Sequence, residues 1–412
     1  MRSITYTLLV GMLACTCISQ AEMRDWKDKQ GRKIQAELVS CDGTTVSLKL
    51  RSGKTVPLPI TKLCDEDQSF LNEQSSDIDS DNGDTGAGQL TPPNFAQPWP
   101  ESIKTDENFE VKTIKEGPDQ FIYESPHFKY ISDAKLGLQL IRAMGRMFEA
   151  TYDINKSLPI ANKPTRDPQV KFPIFLFEKK SDYIAAGGPP DAAGVQITKG
   201  NDPTEPYGHV LVPFESLGVQ KVGSGYRMDR AKDFHTLIHE VTHQLMGREV
   251  KQASWFTEGT AEYVGMTPYS NGRFALSNNR SSIVASVTAY GKGKENKGRA
   301  LGKDINLPYS LEEFMNMDYA SFTGNDGNTN YGIAPLLIYY FYHGDGTGDA
   351  AQIKAYIKAL QKGTPEVEAQ QLLLNKRTWA QLDDAISKFW RRAGITLKFA
   401  KKQVSQNEDS AK

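Results

Sequence analysis

The chain has 412 residues, 49 Lys and Arg against 50 Asp and Glu, and a formal net charge of −1. A hydrophobic share of 39% excludes a wholly disordered chain, and the length exceeds one ordinary domain of roughly 150 residues. Balanced charge argues against a dedicated nucleic-acid binder, which carries a basic excess. Residues 1–21 predict a cleaved secretory signal: Arg2 opens it, Ile4 to Ile18 are largely apolar, and Ser19 and Ala21 are the small residues before a cut at Glu22. The apolar run is too short to span a bilayer comfortably. An uncleaved anchor is the competing reading. Met12-Leu13-Ala14-Cys15, an imperfect lipid-attachment motif, leaves a lipoprotein as an alternative. No later stretch approaches about 18 apolar residues, so the expected protein is secreted or periplasmic and has no transmembrane segment in its mature chain. Cleavage leaves Cys41 and Cys64; an oxidising compartment permits a disulfide between them, and two separate thiols are the alternative.

Residues 22–73 predict a small β module. Ile34, Ala36 and Leu38 alternate with polar neighbours, as do Val46, Leu48 and Leu50, and a period of two marks half-buried strands. Asp42-Gly43 and Ser52-Gly53 fall where hairpin turns belong. Val56-Pro57-Leu58-Pro59-Ile60 reads as an edge strand, because proline cannot donate to a central ladder. Asp65-Glu66-Asp67 opens a short helical segment to about Glu73. Arg24-Asp25-Trp26, Gly31-Arg32, Ala36-Glu37-Leu38-Val39, Gly53-Lys54, Leu63 and Asp65-Glu66-Asp67-Gln68 together resemble the SLA1 homology domain 1 family. The resemblance implies a small SH3-like β-barrel with an accessory role in binding a protein partner. It makes Trp26 a candidate contact, against the alternative of a core aromatic.

Residues 74–105 read as an acidic flexible linker. Asp77, Asp79 and Asp81 fall at alternate positions, as in a calcium loop, but the bidentate Glu of an EF-hand is missing. Residues 106–400 form one larger α+β unit, and 401–412 a polar tail. Phe128 to Ile131, Phe172 to Phe177 and His209 to Val212 read as strands. Leu138, Ile141, Met144, Phe148 and Tyr152 recur at helical spacing, and the pattern after residue 230 is mainly helical. Residues 291–304 are rich in Lys and Gly and read as a solvated loop; without interleaved aromatics they make a poor nucleic-acid patch.

The chain has six His, and His235, His239 and His243 crowd into nine residues. His239-Glu240-Val241-Thr242-His243 is H-E-x-x-H. Its spacing puts both imidazoles on one helical face, able to grip one Zn²⁺, with Glu240 directed at a metal-held water as its base. Phe234, Leu237, Ile238, Val241 and Leu245 supply the buried side of that helix, and Gly247 can end it. A catalytic zinc needs a third protein ligand, and the next helical stretch offers Glu258 and Glu262. They are four apart, so one can bind metal while the other steadies a histidine. His235 shares the face, but lies roughly 12 Å from His243 across the turns. It is read as a buried hydrogen-bonding residue, and His209 as a packed or exposed strand residue.

Trp255-Phe256-Thr257-Glu258-Gly259-Thr260-Ala261 resembles the W-x-x-E-G-x-A signature of gluzincin metallopeptidases. Ser125-Pro126-His127-Phe128, Leu307 to Phe314, Tyr331 to Tyr340 and the helices from Asp349 to Arg392 are similar to further parts of the peptidase MA-like group. The resemblance implies a zincin-like fold: an N-terminal α+β subdomain, a C-terminal helical one and a metal in the cleft between. It selects Glu258 as ligand, although the longer gap of many members would select Glu262. Tyr331 is the candidate donor to an oxyanion, with Tyr263 a weaker one. The implied activity is peptide-bond hydrolysis of a peptide or protein substrate. A catalytically silent zincin-fold scaffold and a zinc hydrolase of a non-peptide substrate are the alternatives.

Overall fold

The computed structural model describes residues 23–41, 45–52, 54–59, 62–64, 66–68, 95–118, 120–160, 170–198, 207–229, 232–246, 252–289 and 298–401. The expected leader, the Asp77–Asp81 calcium pattern and residues 402–412 of the tail lie outside them. The chain divides into two compact units, Met1–Thr85 and Gly86–Lys412.

In the first unit β1 (Arg24–Lys27), β2 (Lys33–Cys41), β3 (Thr45–Leu50) and β4 (Thr55–Pro59) form an antiparallel sheet in that order. Alternation works as a burial code: Ala36, Val46 and Leu48 point inward and join Trp26 and Leu63 in one small core. Trp26 is 1% exposed and its Nε1 donates to the Ala36 carbonyl at 3.1 Å, so it is a core residue and no surface contact. The expected closed barrel is absent among the described residues, where the sheet stays open. β4 pairs with β3 alone. Pro57 and Pro59 stand at alternate positions, so both missing N–H groups fall on one edge of β4, which handicaps that edge for any further pairing.

Buried Asp67 ties the helical residues 66–68 to β1, accepting from Lys27 N at 2.6 Å and Arg24 Nη2 at 2.7 Å. Burial alone would raise its carboxyl pKa; the Lys27 N–H and the Arg24 guanidinium outweigh this and lower it. Among the described residues Cys64 is a free thiol, 3.6 Å from Oδ2 of Asp67. The Cys41 side chain lies outside them, and with it the expected disulfide.

The second unit is mixed α+β. It opens with β5 (Ile103–Lys104). A six-stranded sheet follows from β6 (Lys112–Glu116), β7 (Phe121–Glu124), β8 (Phe128–Ser132), β9 (Phe172–Phe177), β10 (Val195–Ile197) and β11 (His209–Pro213). Its order is β10-β11-β9-β8-β7-β6: β8, β9 and β11 run parallel, and β10 pairs antiparallel at the edge. All five residues of β11 are buried, as suits a central parallel strand covered on both faces. His209 on it packs edge-on to Phe175. Helix α1 (Leu138–Ser157) presents Ile141, Met144 and Phe148 to the core, as its spacing predicts.

The hairpin β12 (Val219–Val222) and β13 (Gly225–Met228) leads into two central helices, α2 (His235–Met246) and α3 (Ser254–Gly265). Strands β14 (Tyr269–Ser270) and β15 (Arg273–Phe274) and helix α4 (Asn279–Thr288) come next, followed by the short helices α5 (Leu311–Met315) and α6 (Tyr319–Thr323). The rest is largely helical: α7 (Gly327–His343), α8 (Ala351–Gln361), α9 (Glu366–Leu374) and α10 (Trp379–Arg391). Helix α3 crosses α7 closely at Gly259, where a Cβ would lie 2.7 Å from Ile338 Cγ1 and 2.9 Å from the Ala334 carbonyl. Gly259→Ala is therefore expected to destabilise the fold by about 1–3 kcal/mol in urea unfolding, despite alanine's better helix propensity.

The second unit starts before residue 106. β5 pairs with β15, Gln97 bonds the Ser157 carbonyl, and Trp99 packs on Tyr342 and His343. Acidic composition hid the aromatic anchors Phe95 and Trp99. His343, at the end of α7, shares a 2.9 Å hydrogen bond between its Nε2 and Tyr263 OH, and burial lowers its pKa to about 4. Native His343 thus stays neutral between pH 6.5 and 4, where the unfolded chain takes up a proton. Stability should fall with pH across that window, by on the order of 3 kcal/mol. Urea titrations at pH 7 and pH 4.5 check it, with a smaller drop in His343→Gln.

Candidate metal centre

Helix α2 begins with Asp233 Oδ1 accepting from His235 N at 3.0 Å. It buries Leu237, Ile238, Val241 and Leu245, leaving His239, Glu240 and His243 on the side toward β10 and α3. His239 Nε2 and His243 Nε2 lie 2.9 Å apart. Glu258 Oε2, from the first turns of α3, lies 3.1 Å from His243 Nε2 and 3.3 Å from His239 Nε2. Three ligand atoms thus converge within hydrogen-bond distance of one another. Tetrahedral zinc with nitrogen and oxygen ligands at about 2.0–2.1 Å has ligand–ligand edges of roughly 3.3 Å, so this donor set fits the ion that the motif implies.

The electrostatics agree with that fit. Burial works against a charged His239, but Glu258 and Glu262 outweigh it and lift its pKa to about 10. The two imidazoles pull Glu258 far below the usual carboxylate range against its own burial. A buried anionic pocket around two imidazoles favours a cation.

The two acidic candidates part company here. Glu262, 2% exposed, does not meet the Nε2 pair. Its Oε1 lies 3.2 Å from His239 Nδ1, on the far side of the ring, and its Oε2 lies 3.1 Å from His235 Nε2. His235 is therefore a hydrogen-bonding partner of Glu262. Arg299 Nη2 reaches Glu262 Oε1 at 2.8 Å.

Glu240 sits beside the cluster without joining it. Its Oε2 accepts from the backbone N–H of Gln196 on edge strand β10 at 2.8 Å. Gly208, with φ +64, lets β10 lie close to β11: a Cβ there would be 2.2 Å from the Ile197 carbonyl.

Tyr331 faces the site, its ring 6.2 Å from that of His239. Burial first, then Glu258, pushes its phenol well above the ordinary tyrosine range. It begins the second turn of α7, and its phenol interacts electrostatically with that of Tyr319 on α6. Tyr263 points away to His343, which removes it as an oxyanion donor. A cavity of about 780 Å³ lined by Gln139, Gln220, Tyr226, Arg227 and Met228 includes none of these residues.

Residues 18–77 match the family model of the SLA1 homology domain 1. The match takes in the first unit's sheet and its small core. A search of curated proteins found no match to the chain. The second unit is therefore read from its own chemistry.

Sequence reasoning missed Gln196, Tyr319 and Arg299. Gln196 acts through its backbone and leaves no signal. Tyr319 stands on a five-residue helix too short for periodicity. Arg299 falls in the stretch read as a solvated loop; within its described part that reading is corrected, because the guanidinium is held at the site.

Proposed function

We propose that this chain is a secreted zinc metallopeptidase of the gluzincin type. The observation that carries the reading is the convergence of His239 Nε2, His243 Nε2 and Glu258 Oε2, with the Glu240 carboxylate fixed alongside by Gln196 N. The α+β part before residue 230 and the helical part after it support a zincin-like arrangement. His239, His243 and Glu258 would hold the zinc. When bound, zinc supplies Lewis acidity and a source of hydroxide near neutral pH.

Glu240 takes up a proton and returns it to the leaving amine. The Gln196 N–H keeps that carboxylate in one orientation by holding Oε2. Tyr331 offers a phenol O–H to charge developing on the substrate carbonyl. Glu262 stands behind His239, its charge 3.2 Å from Nδ1 and placed to take that N–H when the ring binds metal through Nε2. The SLA1 homology domain 1 unit, proposed as an SH3-like module, serves as an accessory site for a protein partner.

Zinc content by mass spectrometry, together with digestion of a peptide library, tests the reading on the full chain. About one zinc per chain is expected, with cleavage that chelation stops and zinc restores. Zinc without any hydrolysis would turn the reading toward a scaffold, and hydrolysis confined to non-peptide bonds toward another hydrolase. A protein that takes up no zinc would end all three. Amino-terminal sequencing that begins at Glu22 would support secretion; a lipid-modified Cys15 would instead mean anchoring.

A further inference from the structure

Residues 298–302 are an unusual piece of backbone. Gly298, Ala300 and Gly302 all have positive φ, at +53°, +54° and +74°. Alanine rarely adopts that conformation, which carries a steric cost and persists where surrounding contacts over-determine it. Arg299 N donates to the Ser286 carbonyl at 2.7 Å, Leu301 N to Val287 at 2.9 Å and Gly302 N to Thr288 at 3.1 Å. These three carbonyls belong to the last turn of α4, where a helix has no N–H of its own to offer them. Asn328 Nδ2, on the first turn of α7, donates to the Arg299 carbonyl at 2.9 Å. Gly332 makes room for the strap: a Cβ there would lie 2.6 Å from Leu301 Cδ1.

All this fixes one side chain. The Arg299 guanidinium reaches Glu262 Oε1 at 2.8 Å and lies 4.9 Å above the centre of the Tyr331 ring. It therefore touches both the carboxylate behind His239 and the aromatic ring facing the site. We propose that Arg299 is a positioning residue of the metal centre, and that the strap 298–302 exists to present it. The inference rests on the metallopeptidase reading. Arg299 holds Glu262 in the orientation that meets His239 Nδ1, and at the same time sets the plane of Tyr331. The cation and its planar fork both matter: the charge compensates buried Glu262, and the flat guanidinium can bond a carboxylate while lying over a ring.

Zinc affinity of the full chain, read by competition with a chromophoric chelator, tests this together with the visible spectrum of the Co²⁺-substituted protein. Arg299→Met should weaken zinc roughly 10–100-fold and shift the cobalt bands, because the His239 ring is no longer held. Arg299→Lys should recover part of the affinity. Wild-type affinity with an unchanged cobalt spectrum in Arg299→Met would overturn the inference while leaving the metal centre standing. Should the Met variant fail to fold, wild-type zinc affinity and cobalt bands in Arg299→Lys would overturn it equally. Wild-type protein that binds no zinc would overturn both readings at once.

Discussion

Glu240→Gln is expected to keep about one zinc per chain and to lose hydrolysis by roughly 10²–10⁴-fold, the usual contribution of a general acid–base residue. The division follows from geometry. Glu240 is not among the three converging ligand atoms, so its charge is not needed to hold the ion. Its Oε2 bond to Gln196 N survives, because the amide oxygen of Gln accepts the same N–H. What disappears is the carboxylate itself, the base of the motif. Zinc content and peptide cleavage measured on one preparation separate the two effects. Loss of zinc in the variant would make Glu240 a ligand; undiminished cleavage would remove it from the chemistry.

The part of the site that is legible in the sequence is the part that is local. A spacing of four puts His239 and His243 on one face before any tertiary structure is known. The strands at residues 128, 172 and 209 are likewise readable, because apolar runs of that length and composition leave little choice. The choice between Glu258 and Glu262 is different in kind. Both lie on one face of α3, one turn apart, and only the crossing of α2 with α3 decides which oxygen meets Nε2 and which meets Nδ1.

Arg299 is less legible still. Its position depends on hydrogen bonds to the end of α4 and on space left by Gly332, two long-range facts with no periodic signature. Charge misled in both directions: it made a linker of Phe95 and Trp99, and a solvated loop of a strap that reaches the site. The expected barrel closure is not seen among the described residues, for a related reason. Alternation predicts strands, but closure depends on whether the two outer edges can pair, and the prolines of β4 handicap one of them.

The separate fates of the two glutamates make the second large effect. Glu258→Ala should lose zinc to background on dialysis against a weak chelator, because two imidazoles alone are an incomplete site. Its melting temperature should no longer respond to zinc, whereas wild type should gain about 4 kcal/mol at a thousandfold excess over Kd. Glu262 needs a gentler substitution. Alanine there would remove the partner of the half-buried Arg299 guanidinium and His235 imidazole and leave a cavity where the buried carboxylate stood, which confounds the metal measurement. Glu262→Gln keeps the shape and one acceptor oxygen, which can stay on Arg299 while the new amide N–H donates to His235 Nε2. It should retain zinc with an affinity reduced roughly 10–100-fold. The opposite ranking would require the Glu262 carboxylate to pass from the Nδ1 side of His239 to the Nε2 side, giving up both His235 and Arg299. Those two contacts, at 3.1 and 2.8 Å, are what hold it behind the ring.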